Sequence, residues 1–361
     1  MATLRIGYVG AGFMAQKVHI PNLLALEGCE LAALAELRPQ LGRKVQQRFR
    51  IPRLYPTHRD LAADPTIPAV CVSAHYSAQG EIACDLLAAG KDVFMEKPMA
   101  VGIAQAQRIL EAERASGRRL MIAYMKRFDP GNVRVKDLVQ EWRASGQMGR
   151  LTFARNHGFC GDWTAGLDTP LDKTDEPYPE APTAWPDWLP ERFRAGYLGY
   201  LQQYTHNVNL LRWFLDAGGD VKVRAVALDA ERGMRGVAVL HVAGVPCTIE
   251  SGGVAYHGWD EHTQLYFEGG WIRTDAPPLL LRNVPAAIEV YRGKTPEKTL
   301  TQVFPAGGRL WSYKEEMRHF VECIRDGKPF RSPAADAMED VRTLEAIYRA
   351  HVETSAGGAG G

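Results

Sequence analysis

The segment GYVGAGFMAQ, residues 7 to 16, indicates the fold class of the first part of the chain. It has the spacing G-x-G-x-x-A where an apolar run ends and an amphipathic stretch begins. Gly10 permits a tight turn, Gly12 lets the backbone approach a pyrophosphate, and the small alanine allows a helix to pack on a strand. The segment therefore predicts a strand, a phosphate-binding loop that includes Phe13 and Met14, and a helix whose N-terminus faces an anion.

A carboxylate follows the next apolar run, CELAALA, about twenty residues after the loop. At this spacing Glu36 can accept hydrogen bonds from ribose hydroxyls and repel a 2′-phosphate, which favours NAD. Arg38 keeps NADP open, because a guanidinium can accept that phosphate or stack on adenine. We predict a dinucleotide site for NAD, with NADP possible; the alternative is a glycine turn beside a solvated glutamate.

The pattern of apolar and amphipathic segments changes once along the chain and predicts two domains. Residues 1–127 alternate apolar runs with amphipathic stretches, which is typical of a doubly wound parallel sheet, so we predict an α/β Rossmann domain. Residues 128–354 begin with helical and Pro/Trp-rich stretches and continue with consecutive strands. They predict an α+β domain with a large, mostly antiparallel open sheet, whose closing helices pack back on the first domain. The glycine-rich end, 355–361, is expected to be a disordered tail.

Composition excludes several classes of function. The 361 residues carry a formal net charge of +1 and no basic block, which argues against nucleic acid as a partner. No run of eighteen apolar residues suggests a membrane span, and the N-terminus lacks a signal-peptide pattern. Six cysteines without a C-x-x-C pair are typical of reduced thiols. We expect a cytoplasmic protein.

Two further segments carry a resemblance to a known family. AGKDVFMEKP, residues 89–98, and YMKRFDPG, residues 124–131, together with the glycine loop and Glu36, resemble the Gfo/Idh/MocA family (glucose–fructose oxidoreductase and inositol dehydrogenase). YMKRFDPG is most similar to the inositol 2-dehydrogenase-like branch. The resemblance implies hydride transfer between NAD(P) and a hydroxyl carbon of a polyhydroxylated small molecule such as a sugar or cyclitol. It also implies a homodimer or homotetramer formed through the open sheet.

The resemblance implies roles for the E-K-P residues. Lys97 would lie beside the nicotinamide and the reacting carbon, where an ammonium stabilises an alkoxide. Glu96 would support the local geometry or contact the cofactor. The alternative is a solvated lysine in a surface loop.

A second catalytic element in the family is Asp-x-x-x-His on a helix, and this chain has QQYTH. His206 would be the general base, and Gln202 lies four residues earlier on the same helix face. An amide cannot raise the basicity of an imidazole as a carboxylate does. The expected substrate contacts are Lys97, Arg127, Tyr204 and His206.

A departure also occurs beside the predicted nicotinamide site. The family pattern T-P-x-x-x-H reads here as Ala74, His75 and, in the histidine place, Gln79. We still expect Ser73 and Ala74 to contact the cofactor. Near the other end of the chain, His257 and His262 flank two acidic residues, but a turn leading into a strand ordinarily carries such residues, and we predict no metal.

The stretch from Cys160 to Tyr204 is rich in aromatic and acidic residues. It holds eight aromatic residues, and eight acidic residues against three basic ones. Aromatic faces suit the C–H face of a sugar ring, and carboxylates attract cations, so we expect this stretch to rim the cleft and favour an amino sugar or aminocyclitol. The alternative is packing against a neighbouring subunit.

Three functions remain open at this point. The leading one is a dehydrogenase or ketoreductase acting on a sugar, cyclitol or amino sugar. The second keeps NAD tightly bound and epimerises or eliminates by transient oxidation, for which Gln202 leaves room. The third is a non-catalytic sensor of sugars or dinucleotides, against which the presence of both Lys97 and His206 argues.

Overall fold

A computed structural model describes residues 3–164, 169–255, 258–306 and 308–357. Its contacts divide the chain into two compact units. The first contains residues 1–124, 168–186 and 313–338, and the second contains residues 125–167, 187–312 and 339–361. The break at residue 124 lies three residues before the predicted boundary.

The first unit is built on six parallel strands in the order β3-β2-β1-β4-β5-β6. These are β1 (Leu4–Val9), β2 (Cys29–Ala35), β3 (Arg53–Tyr55), β4 (Ala69–Val72), β5 (Asp92–Glu96) and β6 (Leu120–Ala123). Every residue of β4, β5 and β6 is buried, as in parallel strands covered on both faces. The strand order reverses between β1 and β4, which is where such sheets bind ligands. The predicted Rossmann fold is confirmed.

Helices connect these strands. They are α1 (Ile20–Leu24), α2 (Pro39–Phe49), α3 (His58–Ala62), α4 (Tyr76–Ala88) and α5 (Ile103–Ser116), and a π-helical turn, Ala15–His19, leads into α1. A later helix, α8 (Ser312–Asp326), packs on the sheet through Phe320, whose ring centroid lies 5.6 Å from that of Phe94.

The second unit contains a mixed, mostly antiparallel sheet in the order β14-β13-β12-β11-β7-β10-β9-β8, which confirms the predicted α+β class. Its strands are β7 (Leu151–Cys160), β8 (Val221–Leu228), β9 (Gly236–Val242), β10 (Val245–Gly253), β11 (Trp259–Phe267), β12 (Gly270–Asp275), β13 (Ala287–Arg292) and β14 (Thr299–Val303). Within this second sheet, as far as the described residues show, only β7 and β10 pair in parallel. Helices α6 (Pro130–Ser145) and α7 (Arg194–Leu215) pack on this sheet.

Buried polar contacts hold α7 in place. Arg212 is 2% exposed and pairs with Asp340 of the last helix, α9 (Ala334–Gly357), while Asn209 Nδ2 donates to the second carboxylate oxygen at 2.7 Å. Helix α9 continues to Gly357, so three residues of the expected tail are helical, and residues 358–361 lie outside the described part. No helix in the described ranges has both the length and the apolar character needed to cross a membrane.

Candidate active site

The glycine loop has the two properties that a dinucleotide requires. Gly10 adopts φ +95°, and a Cβ there would lie 2.6 Å from the carbonyl oxygen of Ser73, so only glycine fits. A Cβ at Gly12 would meet nothing within 4 Å. The fold therefore does not require glycine at the second position, whereas close approach of a pyrophosphate does. Phe13 and Met14 follow at the start of the helix, both half-buried.

Glu36 lies directly after β2 and is held from two sides. Its Oε2 accepts from the backbone N–H of Ala11 in the glycine loop at 2.6 Å. Its Oε1 accepts from Arg38 Nε at 2.7 Å and from the Arg38 backbone N–H at 3.1 Å. A buried carboxylate is thus fixed beside the glycine loop, and its contact with a ribose stays a prediction.

Lys97 directly follows β5, and both carboxylate oxygens of the preceding residue, Glu96, are engaged in polar contacts. Glu96 Oε1 lies 2.8 Å from His19 Nε2, and Oε2 accepts from the backbone N–H of Lys97 at 3.0 Å. Burial lowers the pKa of the Lys97 ammonium, and the charge of Glu96 opposes that shift. Glu96 therefore supports the geometry of the E-K-P segment, which is one of the two roles expected for it.

The residues after β4 that differ from the family pattern make defined contacts of their own. Gln79 is buried, and its Nε2 donates to the carbonyl of Pro98 at 2.6 Å, so it holds the loop that carries Lys97. Ser73 accepts from the hydroxyl of Tyr8 at 2.8 Å. His75 caps α4 through Ser77, and burial lowers its pKa. Ala74 lies between the two, and cofactor contacts at residues 73 and 74 stay predictions.

In the second unit, α7 carries the predicted base. His206 is 8% exposed, and Gln202 lies one turn earlier and half-buried. Tyr204 is buried; its hydroxyl donates to the carbonyl of Gly252 at 3.0 Å and accepts from the N–H of the same residue at 2.9 Å. Burial raises the pKa of Tyr204. The Tyr204 hydroxyl thus anchors β10 to α7, and its predicted substrate contact stays a prediction.

A buried polar cluster beside His206 was missed by the sequence reasoning. Asn207 Nδ2 donates to Asn156 Oδ1 at 2.6 Å and lies 3.3 Å from Glu261 Oε1, which also pairs with Lys126. The sequence did contain one indication of this cluster, because Lys126 belongs to the motif YMKRFDPG. Its neighbour Arg127, a predicted substrate contact, is buried and donates from Nε to Asn209 Oδ1 at 2.7 Å.

Histidines and carboxylates also meet on the central strands of the second unit's sheet, β7, β10 and β11. His262 Nδ1 lies 3.1 Å from Asp260 Oδ1, and His157 Nδ1 lies 2.6 Å from Glu250 Oε2. Within the described ranges, no group of three or more His, Cys, Asp or Glu side chains is arranged to hold a metal ion. His257 lies outside the described residues.

The aromatic and acidic stretch separates into two parts. Tyr197 and Tyr200 are 1% exposed and pack against Tyr348 in the second unit, so these rings belong to its core. Residues 169–186, here called the docked segment, pack instead on the first unit beside the glycine loop. Asp168 lies outside the described residues. Sequence periodicity gives no signal for such docking, because the segment has no regular secondary structure.

Comparison with known proteins agrees with this geometry. The model of the oxidoreductase family with an NAD-binding Rossmann fold, GFO_IDH_MocA, matches residues 4–124. An inositol 2-dehydrogenase of Acidothermus cellulolyticus is 35% identical over 136 residues, which cover 37% of this chain and only 40% of that relative.

Two solved structures resemble the fold over nearly the whole chain. An aldose-aldose oxidoreductase from Caulobacter crescentus complexed with glycerol has a TM-score of 0.75 at 22% identity and covers 98% of each chain. A 3-ketoreductase from Actinomadura kijaniata in complex with NADP and TDP-benzene has a TM-score of 0.72 at 17% identity, covering 96% of this chain and 97% of that one. At these identities the likeness shows the fold alone. The family model matches residues 4–124, and this Rossmann segment is therefore similar to the NAD-binding domain of the Gfo/Idh/MocA oxidoreductases.

Proposed function

We propose that the protein is an NAD-dependent dehydrogenase or ketoreductase that acts on a secondary hydroxyl of a sugar, cyclitol or amino sugar. The inositol 2-dehydrogenase relative and the motif YMKRFDPG support a cyclitol or similar ring as the substrate. NADP stays the alternative cofactor, since one solved neighbour was crystallised with it.

One observation carries the proposal. Gly10, Glu36 and Lys97 directly follow β1, β2 and β5 of one parallel sheet, whose strands all end at the same edge. At that edge, on either side of the switch point, an open doubly wound sheet binds its ligand. A glycine loop for a pyrophosphate, a carboxylate for a ribose and a lysine for the chemistry therefore share one edge of the first unit.

The residues divide the chemistry between them. A bound NAD would supply the hydride acceptor for oxidation and, as NADH, the hydride donor for the reverse reaction. The ammonium of Lys97 stabilises the negative charge that builds on the substrate oxygen. His206 accepts the hydroxyl proton, and Gln202 orients its neighbours without adding charge. A joint role of Lys97 in the first unit and His206 in the second rests on the family resemblance.

A screen for nicotinamide reduction tests the proposal. NAD and then NADP are supplied with cyclitols, sugars, sugar nucleotides and amino sugars, and absorbance at 340 nm is followed. Reduction with any polyol of these classes supports the proposal, and an amino sugar is expected to exceed its uronic acid counterpart in kcat/KM. Wild-type protein that binds neither NADH nor NADPH contradicts it.

Gly12→Ala should separate cofactor binding from folding. The added methyl group meets nothing within 4 Å, so thermal stability is expected to stay at the wild-type value. NADH affinity should fall about tenfold or more, because the pyrophosphate needs that space. Gly10→Ala is the contrasting variant, since its φ of +95° and the contact with Ser73 predict lower stability as well. Unchanged NADH affinity in Gly12→Ala would mean that the loop serves only a turn.

Gln202→Asp restores the carboxylate of the family pattern. A negative charge one turn before His206 favours the imidazolium, so the apparent pKa of the base should rise while activity persists. The pH dependence of kcat/KM for oxidation measures the shift, which should move the acidic limb to higher pH. A profile identical to wild type would show that Gln202 does not face the base.

A second candidate function is favoured by the docked segment. Residues 169–186 contact Gln16, directly after the glycine loop, and the start of α2. In that position the segment would cover a bound dinucleotide and slow its release. The protein would then retain NAD while it oxidises a substrate and returns the hydride to the same or another molecule. Turnover without added NAD, from protein that still carries cofactor after purification, would identify this function.

We also propose a homodimer or homotetramer formed through the sheet of the second unit. Aromatic side chains pair between neighbouring strands of this sheet: the ring centroids of Phe153 and Tyr266 are 6.1 Å apart, and those of Trp271 and Tyr291 are also 6.1 Å apart. Light scattering coupled to size-exclusion chromatography measures the mass of the assembly.

A further inference from the structure

The docked segment is tied to the glycine loop by the first helical turn. Gln16 Nε2 donates to the carbonyl of Ala11 at 2.8 Å and to that of Asp172 at 3.1 Å, and its Oε1 accepts from the Asp172 N–H at 2.9 Å. Lys17 Nζ donates to Thr169 Oγ1 and to the carbonyl of Pro170, each at 2.8 Å. Both Gln16 and Lys17 are buried, so these contacts position the segment firmly beside the loop.

The same segment places a carboxylate at the start of α2. Glu176 Oε1 and Oε2 each accept a backbone N–H, from Gln40 and Leu41, at 2.9 Å. Burial alone would raise the pKa of Glu176, but the two amides, the Thr174 hydroxyl and the charge of Arg38 outweigh it and lower that pKa. Glu176 is therefore an anion at neutral pH, and it interacts electrostatically with Arg38.

Tyr178 lies over Arg38, the residue that the sequence offers to a 2′-phosphate. Its ring centroid is 5.0 Å from Arg38 Cζ, and its ring meets that of His75 edge-on with centroids 5.7 Å apart. Arg38 Nε and Nη2 already donate to the two oxygens of Glu36 at 2.7 and 3.1 Å. Tyr178 thus spans the ends of β2 and β4, and Arg38 is held between a carboxylate and an aromatic face.

We propose that Glu176 and Tyr178 are part of the dinucleotide site and select NAD over NADP. A 2′-phosphate would enter beside Glu36, where Glu176 adds a second negative charge and occupies the amides that favour an anion. Arg38 would have to leave both Glu36 and the ring of Tyr178 to reach that phosphate. The 2′-hydroxyl of NAD carries no charge and meets neither obstacle. This inference rests on the proposed dinucleotide binding and names the residues that set its selectivity.

Binding titrations of the full chain with NADH and NADPH, followed by nicotinamide fluorescence, test this inference. Wild-type protein should bind NADH at least about tenfold more tightly than NADPH. Glu176→Gln removes the charge and keeps the shape, so it should raise NADPH affinity about tenfold and change NADH affinity by less than about threefold. Tyr178→Ala should also raise NADPH affinity, because it releases Arg38.

Asp175→Asn is the matched control, since it removes one charge from the neighbouring, exposed residue. It should leave both affinities unchanged, and thermal melts should show all three variants folded. NADH binding without any gain in NADPH affinity in Glu176→Gln and Tyr178→Ala overturns the inference. An equal gain in Asp175→Asn also overturns it, because charge density rather than position would then decide. Wild-type protein that binds neither nucleotide overturns the proposed function instead.

Discussion

Lys97→Ala should lower kcat for alcohol oxidation by about two to four orders of magnitude, the scale of losing one preorganised charge at a developing oxyanion. The change should leave NADH affinity close to wild type, because the proposed cofactor contacts, the glycine loop and Glu36, lie at other points of the sheet edge. Titration with NADH and single-turnover absorbance at 340 nm measure the two quantities separately.

The pH dependence gives Lys97 a second signature. Burial lowers the pKa of its ammonium, so the charge is lost at lower pH than for an ordinary lysine. The wild-type rate should therefore fall on the alkaline side as Lys97 deprotonates, and this limb should be absent in Lys97→Ala. Lys97→Arg keeps a charge throughout that range but should also lose rate, because guanidinium is larger and differently hydrated. Full turnover in Lys97→Ala would remove Lys97 from the mechanism.

The first unit was predictable because its determinants are local. Gly10, Glu36 and Lys97 each follow an apolar run, and parallel strands with helical connections force their ends to one edge. Consecutive strands with glycine turns likewise predicted the mostly antiparallel sheet of the second unit, although not its parallel pair of β7 and β10. Glu96 was expected to support geometry or contact the cofactor, but its partner, His19, is 77 residues away and carries no periodic signal.

The position of the docked segment could not be predicted from the sequence. The composition of the segment predicted an aromatic and acidic stretch, but the position of Glu176 depends on amides 136 and 135 residues earlier in the chain. The stretch was expected to rim the cleft for a cationic sugar. Instead, Glu176 and Asp172 bind the protein's own groups, the latter pairing with Arg48 at 3.2 Å. A preference for amino sugars stays a prediction, and two of the carboxylates proposed for it are already engaged.

His206→Ala should lower the rate of alcohol oxidation about a hundredfold or more, because proton removal by a positioned base contributes on that scale. The wild-type rate should rise with pH as the imidazole loses its proton, since only the neutral ring accepts the hydroxyl proton. Without the ring this acidic limb should vanish. Steady-state kcat/KM across pH, at saturating NAD, measures both effects.

Two controls decide whether His206 acts on the proton or only packs. Gln203→Ala changes a half-buried neighbour on the same helix and should keep the wild-type pH profile. Added imidazole should restore part of the rate to His206→Ala, because a diffusing base can replace the missing one, whereas a packing defect would not respond. If the variant keeps the acidic limb, His206 is structural, and Tyr204 or a water must supply the base. The buried polar cluster of Asn207, Asn156 and Glu261 would then support the helix rather than the chemistry.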